Sequence, residues 1–186
     1  MLVFAKNKDL IKDLKKALSK DLELSELGDV KYYLGIDISR DRKNKTITLS
    51  QKGYLDKILD RFNKNGLNPV STPIEVGIRL EKSTEIASKE RTRQFQAEVG
   101  SLLYLSTKTR PDLAYAVGQV SKFMSNPNES HFRALNRIWK YLNDPISKDL
   151  KLVLNAQSEP LLKGYSDADW GVTLVLGNLR RLIYFY

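Results

Sequence analysis

The chain has 186 residues, 41% hydrophobic and 28% charged, which is enough apolar material for the core of one ordinary domain or two small ones and excludes wholesale disorder. It has no cysteine and one histidine, His131, so disulfide staples, thiolate zinc sites, a cysteine nucleophile and multi-histidine metal sites are excluded. Thirty-one Lys and Arg against 22 Asp and Glu leave a net charge of +9, spread along the chain with no basic tail, and an excess of this size favours a polyanion such as nucleic acid on a face assembled by folding.

No apolar run approaches the roughly 20 residues of a membrane span. Residues Met1 to Lys8 lack the basic-then-apolar layout of a signal peptide, so a soluble, intracellular chain without a membrane partner is expected.

Leu2-Val3-Phe4-Ala5 reads as a buried strand. A helix follows, with Asn7 or Asp9 as cap and Leu10, Leu14, Ala17, Leu18 and Leu22 at helical spacing, and Gly28 ends it. The period then changes to two. Val30, Tyr32, Leu34, Ile36 and Ile38 alternate with Lys31, Tyr33, Gly35, Asp37 and Ser39. A charged turn over 40–45 leads to a partner strand, Thr46 to Ser50, completing a β-hairpin. Tyr54, Leu55, Ile58, Leu59 and Phe62 share one face of the next helix, which stops near Asn65-Gly66.

From Leu67 to about Arg93 the pattern weakens around Pro69 and Pro73, and a linker is expected. Three helices follow. Phe95, Val99, Leu102 and Leu103 mark the first; Leu113, Val117, Val120 and Met124 mark the second, opened by Thr109-Arg110-Pro111; Ala134, Leu135, Ile138, Trp139 and Leu142 mark the third. Strand periodicity returns over 150–154 and 161–165. The fold class is α+β.

Chemistry is sparse. Asp167 and Asp169, in Gly164-Tyr165-Ser166-Asp167-Ala168-Asp169-Trp170, have the types and place of carboxylates that hold Mg²⁺ at a strand end. On spacing alone a solvated turn is the favoured reading, because a metal site needs further carboxylates and none follows Trp170. Tyr33, Leu34 and Gly35 offer an aromatic and a close backbone to a nucleic-acid strand, or a packed sheet face. Arg133, Arg137 and Lys140 line one side of a helix and could touch phosphates, or stand solvated. His131, near a helix start, reads as a capping or surface residue.

Together these segments resemble the Pol polyprotein of Ty/copia-type retrotransposons, in its reverse transcriptase and ribonuclease H region. The residues that carry the resemblance are Leu27-Gly28-Asp29, Tyr33-Leu34-Gly35-Ile36, Leu49-Ser50-Gln51 with Tyr54, Ser71-Thr72-Pro73, Val99 to Leu105, Thr109 to Leu113 with Tyr115-Ala116-Val117, and Gly164 to Trp170. The resemblance implies that residues 1–65 are the end of the polymerase palm with the first thumb helix and that 66–94 are a linker. It also implies that 95–145 are thumb and connection helices and that 149–186 open a ribonuclease H-like unit.

Tyr33, Leu34 and Gly35 would then resemble the primer grip, and Asp167 the first metal-binding aspartate of ribonuclease H, with Asp169 a weaker counterpart. The implied parental activity is Mg²⁺-dependent, RNA-directed DNA synthesis on an RNA/DNA template–primer. The family's Tyr-x-Asp-Asp turn is absent from this sequence, and the later ribonuclease H carboxylates are missing. No activity is therefore expected of this chain alone; the alternative is a non-catalytic, basic nucleic-acid-binding module.

From Val172 the sequence departs from the family. Read one base out of frame, permitted codons for 172–185 spell Asp-Ser-Ser-Thr-Arg-Lys-Ser-Thr-Ser-Ala-Tyr-Ile-Phe, close to the family's continuation. A frameshift after Gly171 is expected.

Overall fold

The computed structural model describes residues 2–156 in full, together with the backbone of 164–167 and 182–185. The readings of Leu161, Asp169 and the tail outside 182–185 lie beyond these described residues.

Asn7 starts α1 (Lys8–Leu18): its side-chain oxygen accepts the Leu10 N–H at 3.1 Å, as an N-cap should. The helix forms over the first part of the predicted spacing and stops before Leu22, and none of its residues is buried. Leu10 and Leu14 are exposed, and so are Leu22 and Leu24 beyond its end. The expected strand over Leu2–Ala5 does not form. Extended backbone needs a neighbouring strand for its hydrogen bonds, and no described strand lies beside it, so Phe4 stands 80% exposed.

The period-two stretch is two strands, with a reversal between them. β1 (Tyr32–Tyr33) turns back at Leu34-Gly35 into β2 (Ile36–Asp41), pairing Tyr33 with Ile36 and Tyr32 with Asp37. β2 continues antiparallel to β3 (Thr46–Ser50), with Ile38 opposite Leu49. Their charged turn is shaped by Asp41, whose carboxylate accepts the backbone N–H groups of Lys43 and Asn44 at 2.9 and 3.0 Å. These bonds, with that from the Asn44 amide, hold the Asp41 pKa below the usual carboxylate range.

Four helices enclose the core. α2 (Lys52–Arg61) buries Leu55, Ile58 and Leu59; α3 (Lys89–Lys108) buries Phe95, Val99, Leu102 and Leu105. A 3-10 turn (Pro111–Leu113) opens α4 (Ala114–Ser121), which contributes Val117 and Val120. α5 (Glu129–Leu142) contributes Leu135, Ile138, Trp139 and Leu142. Each set falls at the three-and-four spacing read from the sequence, which is why a stripe on each helix is excluded from water.

α3 begins at Lys89, inside the stretch read as a linker. The remainder, 67–88, has neither helix nor strand, but it is strapped to the helices. Leu67, Ile74, Ile78 and Leu80 pack on the core, and Asn126 accepts the Ala87 N–H at 2.8 Å while donating to the Glu85 carbonyl at 2.9 Å. His131, read as a capping or surface residue, is the third-position partner of the Asn128 N-cap in a capping box, and it is buried. Its Nδ1 accepts the Asn128 N–H at 3.0 Å, which leaves Nε2 carrying the proton that is donated to the Glu81 carbonyl at 2.9 Å. The ring stacks on Phe123 at 3.9 Å between centroids.

After α6 (Pro145–Lys148), β4 (Leu152–Asn155) joins β3 antiparallel, with Leu49 opposite Leu152, and closes a sheet of order β1-β2-β3-β4. The strand expected to open a C-terminal unit thus lies beside one from near the N-terminus. β5 (Gly164–Asp167) and β6 (Leu182–Phe185) form an antiparallel pair of their own. Helices together with a four-stranded antiparallel sheet make the chain α+β, as the element order implies. Among the described residues no helix is long and apolar enough to cross a membrane.

Candidate nucleic-acid interface

The turn between β1 and β2 is the sharpest feature of the surface. Leu34 and Gly35 both have positive φ, 48° and 77°, the backbone of a two-residue hairpin turn matched to the twist of its strands. Glycine adopts this conformation freely; leucine rarely does, so the local strand pairing and its surroundings must hold it there. The surroundings are Tyr104 of α3, whose hydroxyl donates to the Leu34 carbonyl. The Tyr104 ring meets Tyr54 of α2 edge-on, with centroids 5.1 Å apart. Tyr54 in turn donates its hydroxyl to the Ser101 carbonyl at 3.2 Å, and its burial raises the phenol pKa. The Leu34 side chain is 67% exposed and Tyr32 is exposed beside it, whereas Tyr33 is half-buried.

On α5, Arg133 is exposed and Lys140 half-buried. Arg137, between them, is drawn toward the strap: it donates to Glu75 at 3.1 Å and to Thr72 Oγ1 at 2.9 Å. The three lie on one helix face, but they are not brought to the Leu34-Gly35 turn by any hydrogen bond or ion pair. Asp167 lies on β5 opposite Leu182, and Asp169 lies outside the described residues. Among the described residues, no three His, Asp or Glu come together in a way that could hold a metal ion. A polar cleft of about 460 Å³ opens between Arg79, Lys82 and the Asn128–Ser130 start of α5.

Two buried polar clusters escaped the sequence reading. In one, Arg110, 3% exposed, grips Asp112 through Nε and Nη2 at 2.9 and 2.7 Å and donates to Ser147 Oγ at 2.8 Å, while Thr109 donates to Gln51 Oε1 at 2.9 Å. The Thr109-Arg110-Pro111-Asp112 motif therefore ties α3, α6 and the start of α2 together. In the other, Glu98, 2% exposed, accepts the Trp139 indole N–H at 2.7 Å and the Gln94 amide at 3.0 Å, with Lys64 Nζ 3.5 Å away. A carboxylate inside an apolar period is the one signal that could have found it.

The family described as reverse transcriptase (RNA-dependent DNA polymerase) matches residues 1–76, a stretch that includes the turn. The retrovirus-related Pol polyprotein from transposon TNT 1-94 of Nicotiana tabacum is 39% identical over 174 residues, 91% of this chain and 13% of that protein. Along nine-tenths of its length the chain is homologous to the Pol polyproteins of copia-type retrotransposons. A second family member, the Pol polyprotein from transposon RE2 of Arabidopsis thaliana, is 34% identical over 91% of the chain and 11% of its own length. An uncharacterized mitochondrial protein of Arabidopsis thaliana is 33% identical over 82% of the chain and 61% of its own length. The chain thus spans about an eighth of the Pol relatives it matches. No solved structure matches it significantly.

Proposed function

We propose that this chain is the nucleic-acid-holding piece of a copia-type reverse transcriptase and is without polymerase or ribonuclease H activity on its own. The single observation that carries the reading is the match to Pol polyproteins along nine-tenths of the chain. In this reading residues 1–65 end the palm and begin the thumb, 66–94 link, 95–145 are thumb and connection, and 149–186 begin a ribonuclease H-like unit. Tyr33, Leu34 and Gly35 meet the primer strand, where the exposed Leu34 and Tyr32 offer apolar surface and the turn offers backbone. Arg133, Arg137 and Lys140 give phosphate contacts, and the net charge of +9 supports this.

The parental polyprotein is proposed to use Mg²⁺ and an RNA/DNA template–primer. In this chain the sequence carries no Tyr-x-Asp-Asp to hold the polymerase ions, and Asp167 with Asp169 would be an incomplete ribonuclease H set. A primer-extension assay with Mg²⁺, paired with a gel shift on the same hybrid, tests the reading. A shifted hybrid without extension is the expected result; extension, or no shift at low salt, would overturn it.

The second reading, a relic with no present role, is favoured by the tail from Val172, for which permitted codons read in a shifted frame can spell a family-like run. Sequencing the genomic DNA on both sides of the coding region decides it. An Arg-Lys-Ser-Thr codon run in the shifted frame and a Tyr-x-Asp-Asp just upstream support the relic, and the absence of both removes it.

A further inference from the structure

Resting on the reading above, we propose that Tyr104 is a positioning residue that sets the Leu34-Gly35 turn against the nucleic-acid strand.

The turn has little of its own to hold it. β1 is two residues long and, among the described residues, pairs only with β2, so the tip would pivot about a single short ladder. Tyr104 reaches it from the helical layer. Its hydroxyl donates to the Leu34 carbonyl, satisfying an acceptor that the turn itself leaves open.

The Gly35 backbone lies on the same ring: a Cβ built there would stand 3.7 Å from Oη and 3.9 Å from Cε1. The ring is fixed in its turn by the edge-on contact with Tyr54 at 5.1 Å, and Tyr54 is anchored to the Ser101 carbonyl one helical turn before Tyr104. With the backbone carbonyl pulled toward α3, the Leu34 side chain is left facing solvent. The tyrosine thereby couples the placement of the turn to the helices around it. Pre-setting a contact loop in this way removes the ordering cost that a free tip would meet on binding.

The test uses the full chain and an RNA template annealed to a DNA primer with a fluorescent purine analogue at the primer 3′ end. Wild type is expected to bind and to change the analogue's fluorescence. Tyr104→Phe removes only the hydroxyl. It is expected to bind about fivefold more weakly, the size of one net hydrogen bond, with the salt dependence unchanged and the fluorescence change lost. A structural role alone would lower stability without silencing the terminal signal, so the melting temperature is recorded for both. Gly35→Ala, which perturbs the turn and leaves α3 intact, is expected to silence the signal as well, and it stands in if Tyr104→Phe fails to fold. Full retention of the signal in either folded variant overturns the positioning role and leaves nucleic-acid binding standing. Failure of wild type to bind at low salt overturns the function on which the proposal rests.

Discussion

Glu98 is a carboxylate 2% exposed among Phe95, Val99 and Leu102, and replacing it with alanine is expected to be strongly destabilising. Three groups lose their acceptor at once. The Trp139 indole, fully buried, donates to it at 2.7 Å; the Gln94 amide donates at 3.0 Å; the Lys64 ammonium, 19% exposed, lies 3.5 Å away. Stranding a buried donor costs about 1–3 kcal/mol, and breaking a buried ion pair by removing one partner costs about 3–5 kcal/mol. These terms share the same oxygens and do not add. A loss of about 4 kcal/mol is expected, or about 8–16 °C in melting temperature for a chain of this size.

Glu98→Gln keeps one carbonyl for the indole and loses the charge facing Lys64, so about 1–2 kcal/mol is expected. Urea denaturation of the wild type, both variants and Trp139→Phe, arranged as a double-mutant cycle, gives the comparison. A loss under about 1 kcal/mol for Glu98→Ala, or additivity with Trp139→Phe, would refute the cluster as a unit that holds α3 against α5.

Gly35→Ala has room for its Cβ but must adopt φ of +77°, so about 1 kcal/mol is expected in thermal denaturation. Arg110→Lys keeps the charge but loses the two-pronged grip on Asp112 and is expected to cost about 2 kcal/mol, read as a lower urea midpoint at unchanged slope. Burial lowers the His131 pKa below its ordinary 6.5, so the unfolded chain binds that proton more readily than the folded one. His131 therefore contributes stability that is fully present above its unfolded value of 6.5 and is lost as the pH falls through the depressed folded value. Protonation removes the Nδ1 acceptor that closes the α5 cap, so melting curves across mildly acidic pH are expected to fall for wild type, with that component absent from His131→Gln.

The helical core was legible residue by residue, because α2 to α5 each bury a stripe that repeats every three or four positions. The hairpin from Ile36 to Ser50 and the His131 cap were legible for the same local reason. The Leu34-Gly35 reversal was not: alternation runs unbroken from Val30 to Ile38, and a leucine gives no hint of a positive φ. Helical spacing in α1 predicted a helix correctly but not burial, which depends on what lies beside it.

The strand read at Leu2–Ala5 met the same limit. Tyr104 and Glu98 were missed because their partners, Leu34 and Trp139, stand 70 and 41 residues away in sequence. The pairing of β4 with β3 is long-range in the same way. Of the candidate site, the turn residues and the α5 cations were named in advance; the tyrosine that supports the turn became visible only once the chain was folded.

The measurement that tests the central claim most directly is the affinity of the full chain for an RNA–DNA template–primer hybrid across a salt series. Binding at low salt with log K falling linearly against log salt, at a slope of several counterions, is predicted from the basic surface. Absence of binding at low salt, or an affinity indifferent to salt, would contradict it.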